Sequence, residues 1–341
     1  MRKVDSHSRM INKDFLNDLS KDGFLSPVTE LVRKHQDELM MAFRGDYINI
    51  YYRGHSLYKI EKQVQAYKVT FDFNHSRYTK EHDSILKKLM NLGMQLPSQR
   101  KEVKYESMCF YIDKAGKEKK KLTSSSGKNL ITKKIPVASE DIDKKFWDNS
   151  YKLLKQAIDD YFDPEKKEDY FKDASCKGEL SSKKLYLEKQ RQQSIALANR
   201  ATENGYFVYD IEYSQPNEKQ GDEKSGCFDL LALKFEGQKA KQLLLIEVKT
   251  TKEACTGSSG VDKHKEDMDK YITNTEVINV RRKEAEDVMA ALDKLFQIGK
   301  VDFSEIEKNV RCVFVYTDEA QKFKGASNNE FLNAPWELKN I

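Results

Sequence analysis

The segment LLLIEVKTT, residues 243–251, constrains this chain more than any other. Leu243 to Ile246 run without a polar break, which marks a strand covered on both faces. Glu247 and Lys249 follow two residues apart. The two-residue period of a strand therefore puts both on one face, with Ile246 and Val248 on the other. Holding a carboxylate or an ammonium in such a strand is costly unless each meets a partner or a metal. Packing alone calls for neither charge.

A second strand, CFDLLALKF (227–235), precedes it, and the short turn EGQKAK (236–241) predicts a hairpin between the two. The hairpin brings Asp229 close to Glu247, where two like charges repel. A divalent cation between them removes the repulsion. Mg²⁺ favours one or two carboxylates, with its other positions filled by water and phosphate oxygens. With a lysine beside it to orient water or steady developing charge, this is the arrangement that hydrolysis of a phosphodiester needs.

Around this pair the periodicity predicts a helix over 181–203, strands at 206–213, 227–235 and 242–251, a long helical region over about 262–297, and a last strand at 311–317. The order is α-β-β-β-α-β. FDLLAL and LLLIEVKTT, in that setting, resemble the D…ExK signature of the PD-(D/E)xK nuclease superfamily, matched by Asp229, Glu247 and Lys249 over residues 180–317. Phe228 stands where many members have a proline.

The resemblance implies an α/β fold: a restriction-endonuclease-like core, a mixed sheet flanked by helices, with an N-terminal α+β region. It implies that Asp229 and Glu247 hold Mg²⁺ (or Mn²⁺), that the backbone carbonyl of Val248 is a further ligand, and that Lys249 positions the attacking water. Many members add a glutamate from the preceding helix, and Glu188 is the match here, with Gln192 and Ile195 on the same side of its helix. A solvated Glu188 is the alternative. The implied partner is nucleic acid, with DNA the preferred substrate, and a protein partner or a second copy remains open. An effector of a bacterial defence or restriction system is the analogy for such an enzyme. The rival reading is a catalytically silent or partner-activated nucleic-acid-binding module of the same fold.

Other residues compete for roles. Asp210 and Glu212 alternate in VYDIEY, as further acids of the site or as charges guarding an edge strand. His264, Lys265 and Tyr271 are candidates for substrate-backbone contacts or a plain polar helix face. Thr250, Thr251 and Ser258 flank a Gly/Ser loop able to meet phosphates through its amides. Five of the six histidines lie in the first 82 residues, leaving only His264 for a C-terminal metal site. Nucleotide-binding glycine motifs, an HExxH pair and a Ser-His-Asp set are absent from the sequence.

Length suggests two domains, 1–140 and 141–341. In the first, residues around Leu31, Val32, Leu39, Met40 and Phe43 read as helical. DYINIYYRGHSLYKIEKQVQAYKVTFDF (46–73) reads as three strands with a turn at RGHS. A helix at 81–92, a strand at 105–112, a Lys-rich loop over 114–134 and a helix over 142–171 follow. Arg53, His55, Arg77 and His82 are candidate contacts to nucleic acid or a regulator, or plain surface groups. The net charge of +5 permits an anionic partner without requiring one. Five scattered cysteines without a CxxC pair, and no stretch apolar enough to cross a bilayer, point to a cytoplasmic protein with free thiols and no membrane contact.

Overall fold

The computed structural model describes residues 8–63, 66–72, 107–113, 134–137, 144–162, 177–214, 227–250, 252–255, 260–307 and 310–316. Among the described residues the fold is mixed α/β, with a six-stranded and a four-stranded sheet. By contact the chain forms two units. One comprises Met1–Asn12, Ala42–Gly45 and Leu187–Ile341, and the other Lys13–Met41 and Asp46–Tyr186. The units therefore interleave along the chain instead of dividing at one point near residue 140. The contacts group residues 144–162 with the six-stranded sheet, and two short N-terminal segments with the four-stranded one.

The six-stranded sheet runs in sequence order: β1 (Leu39–Arg44), β2 (Tyr47–Tyr52), β3 (His55–Lys62), β4 (Ala66–Asp72), β5 (Ser107–Asp113) and β6 (Lys134–Val137). From β2 to β5 the pairing is antiparallel, and β6 joins parallel to β5. The turn expected at RGHS is present, with Arg53 and Gly54 at φ of 50° and 77°. Two left-handed residues give a hairpin turn whose twist matches its strands. Helices α1 (Lys13–Leu19) and α2 (Ser26–Lys34) precede the sheet. Leu39, Met40 and Phe43, expected to be helical, lie in β1 instead. The helix stops at the His35 cap, whose amide donates to Leu31 and Val32 carbonyls, and the six residues LMMAFR are then buried throughout. An all-buried apolar run carries no period, so helix and strand look alike in it.

Helix α3 (Lys144–Phe162) buries Trp147, Ser150, Tyr151, Leu154 and Ile158, one stripe at three- and four-residue spacing. Trp147 meets the ring of Tyr58 edge-on, with centroids 5.2 Å apart, and Tyr58 and Ser150 share a 2.6 Å hydrogen bond. A second set of contacts fastens the other end. Tyr52 donates to Asp159 at 2.6 Å, and Lys155 lies 3.1 Å from Asp159 and 3.2 Å from Glu38. Arg53 also donates to Asp159, at 3.0 Å, and His55 is buried in β3, so these two are built into this unit. Arg77, His82, the expected helix at 81–92 and residues 114–133 of the Lys-rich loop lie outside the described residues.

In the other unit the order read from the sequence holds: α4 (Lys177–Ala198), β7 (Tyr206–Ser214), β8 (Cys227–Glu236), β9 (Lys239–Lys249), the short α5 (Lys252–Cys255), α6 (Val261–Ile272), α7 (Thr275–Phe296) and β10 (Arg311–Tyr316). The helical region expected over 262–297 is two helices. Asn274 interrupts it as an N-cap, its side chain accepting the Val277 amide at 3.2 Å. Strand order is β10-β9-β8-β7, with β9 parallel to β10 and antiparallel to β8. β9 thus has neighbours on both edges, and Leu243, Leu244, Leu245 and Ile246 are buried, as the unbroken run requires. Among the described residues no helix is long and apolar enough to cross a membrane. Cys312 is a buried free thiol.

Asp210, on β7, is buried at 2 % exposure and neutralised twice. Arg9 Nε lies 2.6 Å from its Oδ2, and Arg44 pairs with its Oδ1 while also donating to the Ile211 carbonyl. The Arg9 amide donates to Glu284 of α7 at 3.2 Å, and Glu284 pairs with Arg281. Edge protection is therefore not what Asp210 does, although β7 is the last strand of its sheet. Glu212 has a different fate, at φ 53° and paired with Lys189.

Removing either anchor should be costly. Asp210→Ala strands two buried guanidinium groups and should cost about 3–5 kcal/mol in urea unfolding. Trp147→Ala empties the interface of α3 and should cost about 3–5 kcal/mol, read as a fall in Tm by circular dichroism.

Candidate active site

The β8–β9 ladder runs from Glu236↔Lys239 to Leu230↔Ile246. One further step in that register puts Asp229 opposite Glu247, on one face of the sheet. Here the side chain of Asp229 takes over from the ladder. Its Oδ2 accepts the backbone N–H of Val248 at 2.6 Å, and its Oδ1 accepts Nε2 of Gln192, from α4, at 2.8 Å. The carboxylate is thus held at both oxygens.

Glu247 and Lys249 are each 4 % exposed, and their charged ends lie 3.3 Å apart. His264, one turn into α6, brings Nδ1 to 3.1 Å from the same Glu247 oxygen, Oε2. Glu188, midway along α4, is half-buried. Burial pushes its carboxyl pKa up, Lys249 draws it down, and Glu247 raises it again. Burial also drives the Asp229 carboxyl well above the usual carboxylate range; the Glu247 charge adds to this, the Val248 amide opposes it, and Glu188 raises it further. Glu188, Asp229, Glu247, Lys249 and His264 therefore feel one another through a poorly solvated space.

The sum of charge is unbalanced: three carboxylates face one ammonium and one imidazole. A proton or a cation must offset the excess. Among the described residues, no three His, Cys, Asp or Glu side chains converge as a ready-made metal cage. Two neighbouring carboxylates with other oxygens nearby still match what Mg²⁺ takes, since it keeps several waters and needs few protein ligands. Oε1 of Gln192 is one such oxygen, buried without a hydrogen-bond partner among the described residues. The backbone of Val248 offers another, because a residue's N–H and C=O face the same edge of a strand, and its N–H faces Asp229. The donor chemistry thus fits a hard divalent cation.

Of the residues read from the sequence, Glu188, Asp229, Glu247 and Lys249 come together, and Val248 lies between the last two with its side chain in the core. His264 joins them. Tyr271 packs instead against Phe228, with ring centroids 4.9 Å apart, and Lys265 and Thr250 are half-exposed. Thr251 and Ser258 lie outside the described residues. Gln192 had no role assigned from sequence beyond sharing a helix side with Glu188. Its i+4 spacing from Glu188 was the available signal. None of the family models, curated proteins or solved structures compared with the chain matches it.

A carboxylate so held is a source of strain when no cation is bound. Asp229→Asn removes the repulsion while Gln192 can turn its amide to suit. In EDTA this variant should be more stable than the wild type by about 0.5–2 kcal/mol, read by urea unfolding. A loss of stability instead would mark Asp229 as a purely structural acceptor.

Proposed function

We propose that this chain is a divalent-cation-dependent nuclease of the PD-(D/E)xK kind, with a restriction-endonuclease-like core built on β7 to β10 and DNA as its substrate. One observation carries the reading. Asp229 and Glu247 face each other at the end of a central buried strand, with Lys249 buried 3.3 Å from Glu247, and together with Glu188 they leave an excess of negative charge. A fold does not call for such a group, and a phosphodiester hydrolase does. The order of elements, one helix, three antiparallel strands, three helices of which the first is a single turn, and a parallel strand, supports it.

In this reading Asp229 and Glu247 hold Mg²⁺ or Mn²⁺, with the Val248 carbonyl as a further oxygen and Glu188 at the margin of the site. The cation supplies Lewis-acid polarisation of the phosphate and a more acidic water. Gln192 and the Val248 amide fix the rotamer of Asp229, so the carboxylate need not reorganise during the reaction. Lys249 has its Nζ beside Glu247 and orients the nucleophilic water or steadies charge on the phosphate. His264 is 30 % exposed at its side chain and touches Glu247, which leaves its other ring nitrogen for the substrate side. A cytoplasmic setting in a bacterial defence or restriction system, with a protein partner or a second copy, is the context we assign by analogy.

The test is cleavage of supercoiled plasmid, linear duplex, single-stranded DNA and RNA, with Mg²⁺, Mn²⁺ or EDTA. Cutting of DNA should require the metal, and Glu247→Ala and Lys249→Ala should each lower the rate by about 100- to 1000-fold while the protein stays folded. No cutting of any substrate, or cutting indifferent to both substitutions, would reject the assignment.

A further inference from the structure

Gln192 is 4 % exposed, and its two amide atoms have unequal fates. Nε2 donates to Asp229 Oδ1 at 2.8 Å, whereas Oε1 is buried with no partner among the described residues. A buried amide oxygen left unpaired costs about 1–3 kcal/mol. Turning the amide over does not remove the difficulty. It would aim Oε1 at the Asp229 carboxylate, which repels it whenever that carboxylate is ionised. The orientation shown is therefore the one that an ionised Asp229 selects, and it leaves an oxygen acceptor beside the carboxylates with nothing to bind.

Amide oxygens are hard, neutral donors suited to divalent cations and their bound waters. We propose that Gln192 Oε1 belongs to the coordination shell of the divalent cation, completing a donor set whose other protein members are Asp229, Glu247 and the Val248 carbonyl. The inference rests on the cation-dependent reading of this site. It gives the two ends of one amide separate duties, since Nε2 fixes the carboxylate and Oε1 meets the ion. A neutral donor also suits the charge balance. Three carboxylates already surround the space, and a fourth at position 192 would sit against Asp229 and raise the cost of the empty site.

The experiment uses the full chain and Mn²⁺ alone as the probe, titrated by calorimetry, with urea unfolding in EDTA alongside. Compared are the wild type, Gln192→Leu, Gln192→Glu and Asp229→Ala. Gln192→Leu should bind Mn²⁺ about 10- to 100-fold more weakly. In EDTA it loses both the unpaired oxygen and the Nε2 donor to Asp229, two changes of opposite sign, so its stability should stay close to that of the wild type. Gln192→Glu keeps an oxygen for the ion and sets a fourth carboxylate against Asp229, so it should keep wild-type Mn²⁺ affinity or better while losing stability in EDTA. If both variants bind Mn²⁺ weakly, Gln192 acts only by orienting Asp229 and the proposal is wrong. If Gln192→Leu binds within twofold of the wild type while Asp229→Ala has lost the ion, Gln192 is only a packing residue and the proposal fails alone. If Asp229→Ala also binds like the wild type, the cation reading of the site fails with it.

Discussion

The register between β8 and β9 is the constraint on which the candidate site depends. A strand has period two, so a slip of one residue would turn Asp229 to the face opposite Glu247 and disperse the carboxylates. Two local features hold the register. Gly237, at φ 59°, closes a two-residue turn between Glu236 and Lys239, and a bulge at Lys234/Phe235 corrects the phase above it. From there four apolar pairs, Leu233↔Leu243 to Leu230↔Ile246, carry the alignment to the end of the ladder. The charged residues begin where the apolar pairing ends.

The same geometry explains why the site is poorly solvated without being an ordinary core. β9 is covered by β8 on one edge and β10 on the other, so Glu247 and Lys249 have no route to water along the sheet. Their mutual contact and that of His264 satisfy part of the charge. The remainder is carried by Asp229, whose protein partners, an amide N–H and a carboxamide N–H, both favour the ionised form. Burial and the neighbouring carboxylates favour the neutral form. Two opposing demands on one group are the usual mark of a place where an ion or a reaction is accommodated.

Much of this was legible in the chain because its signals are periodic. The run LLLI followed by Glu247 and Lys249 specifies a central strand and a shared face, and the turn before it specifies the neighbour that brings Asp229. Other features carry no local signal. LMMAFR is buried on both faces, so it shows neither helical nor strand period, and only its place in the sheet decides. The break at Asn274 hides inside a pattern that stays helical on either side, marked by one capping residue. Gln192 reads as one more polar position on a polar helix, and its burial depends on what packs over it. Asp210 lies 166 residues from Arg44 and 201 from Arg9, so no local window of sequence contains their contact.

That last contact has a consequence for how the protein is made. Arg9 and Asp210 are 201 residues apart, yet both belong to the unit that holds the candidate site. At about 5–20 residues per second, roughly 10 to 40 seconds of synthesis separate them. The segment around Arg9 is made long before the carboxylate against which it is buried. Domains generally close in the order in which they are translated, and this unit cannot follow that order. Its completion is deferred until β7 and α7 have been made.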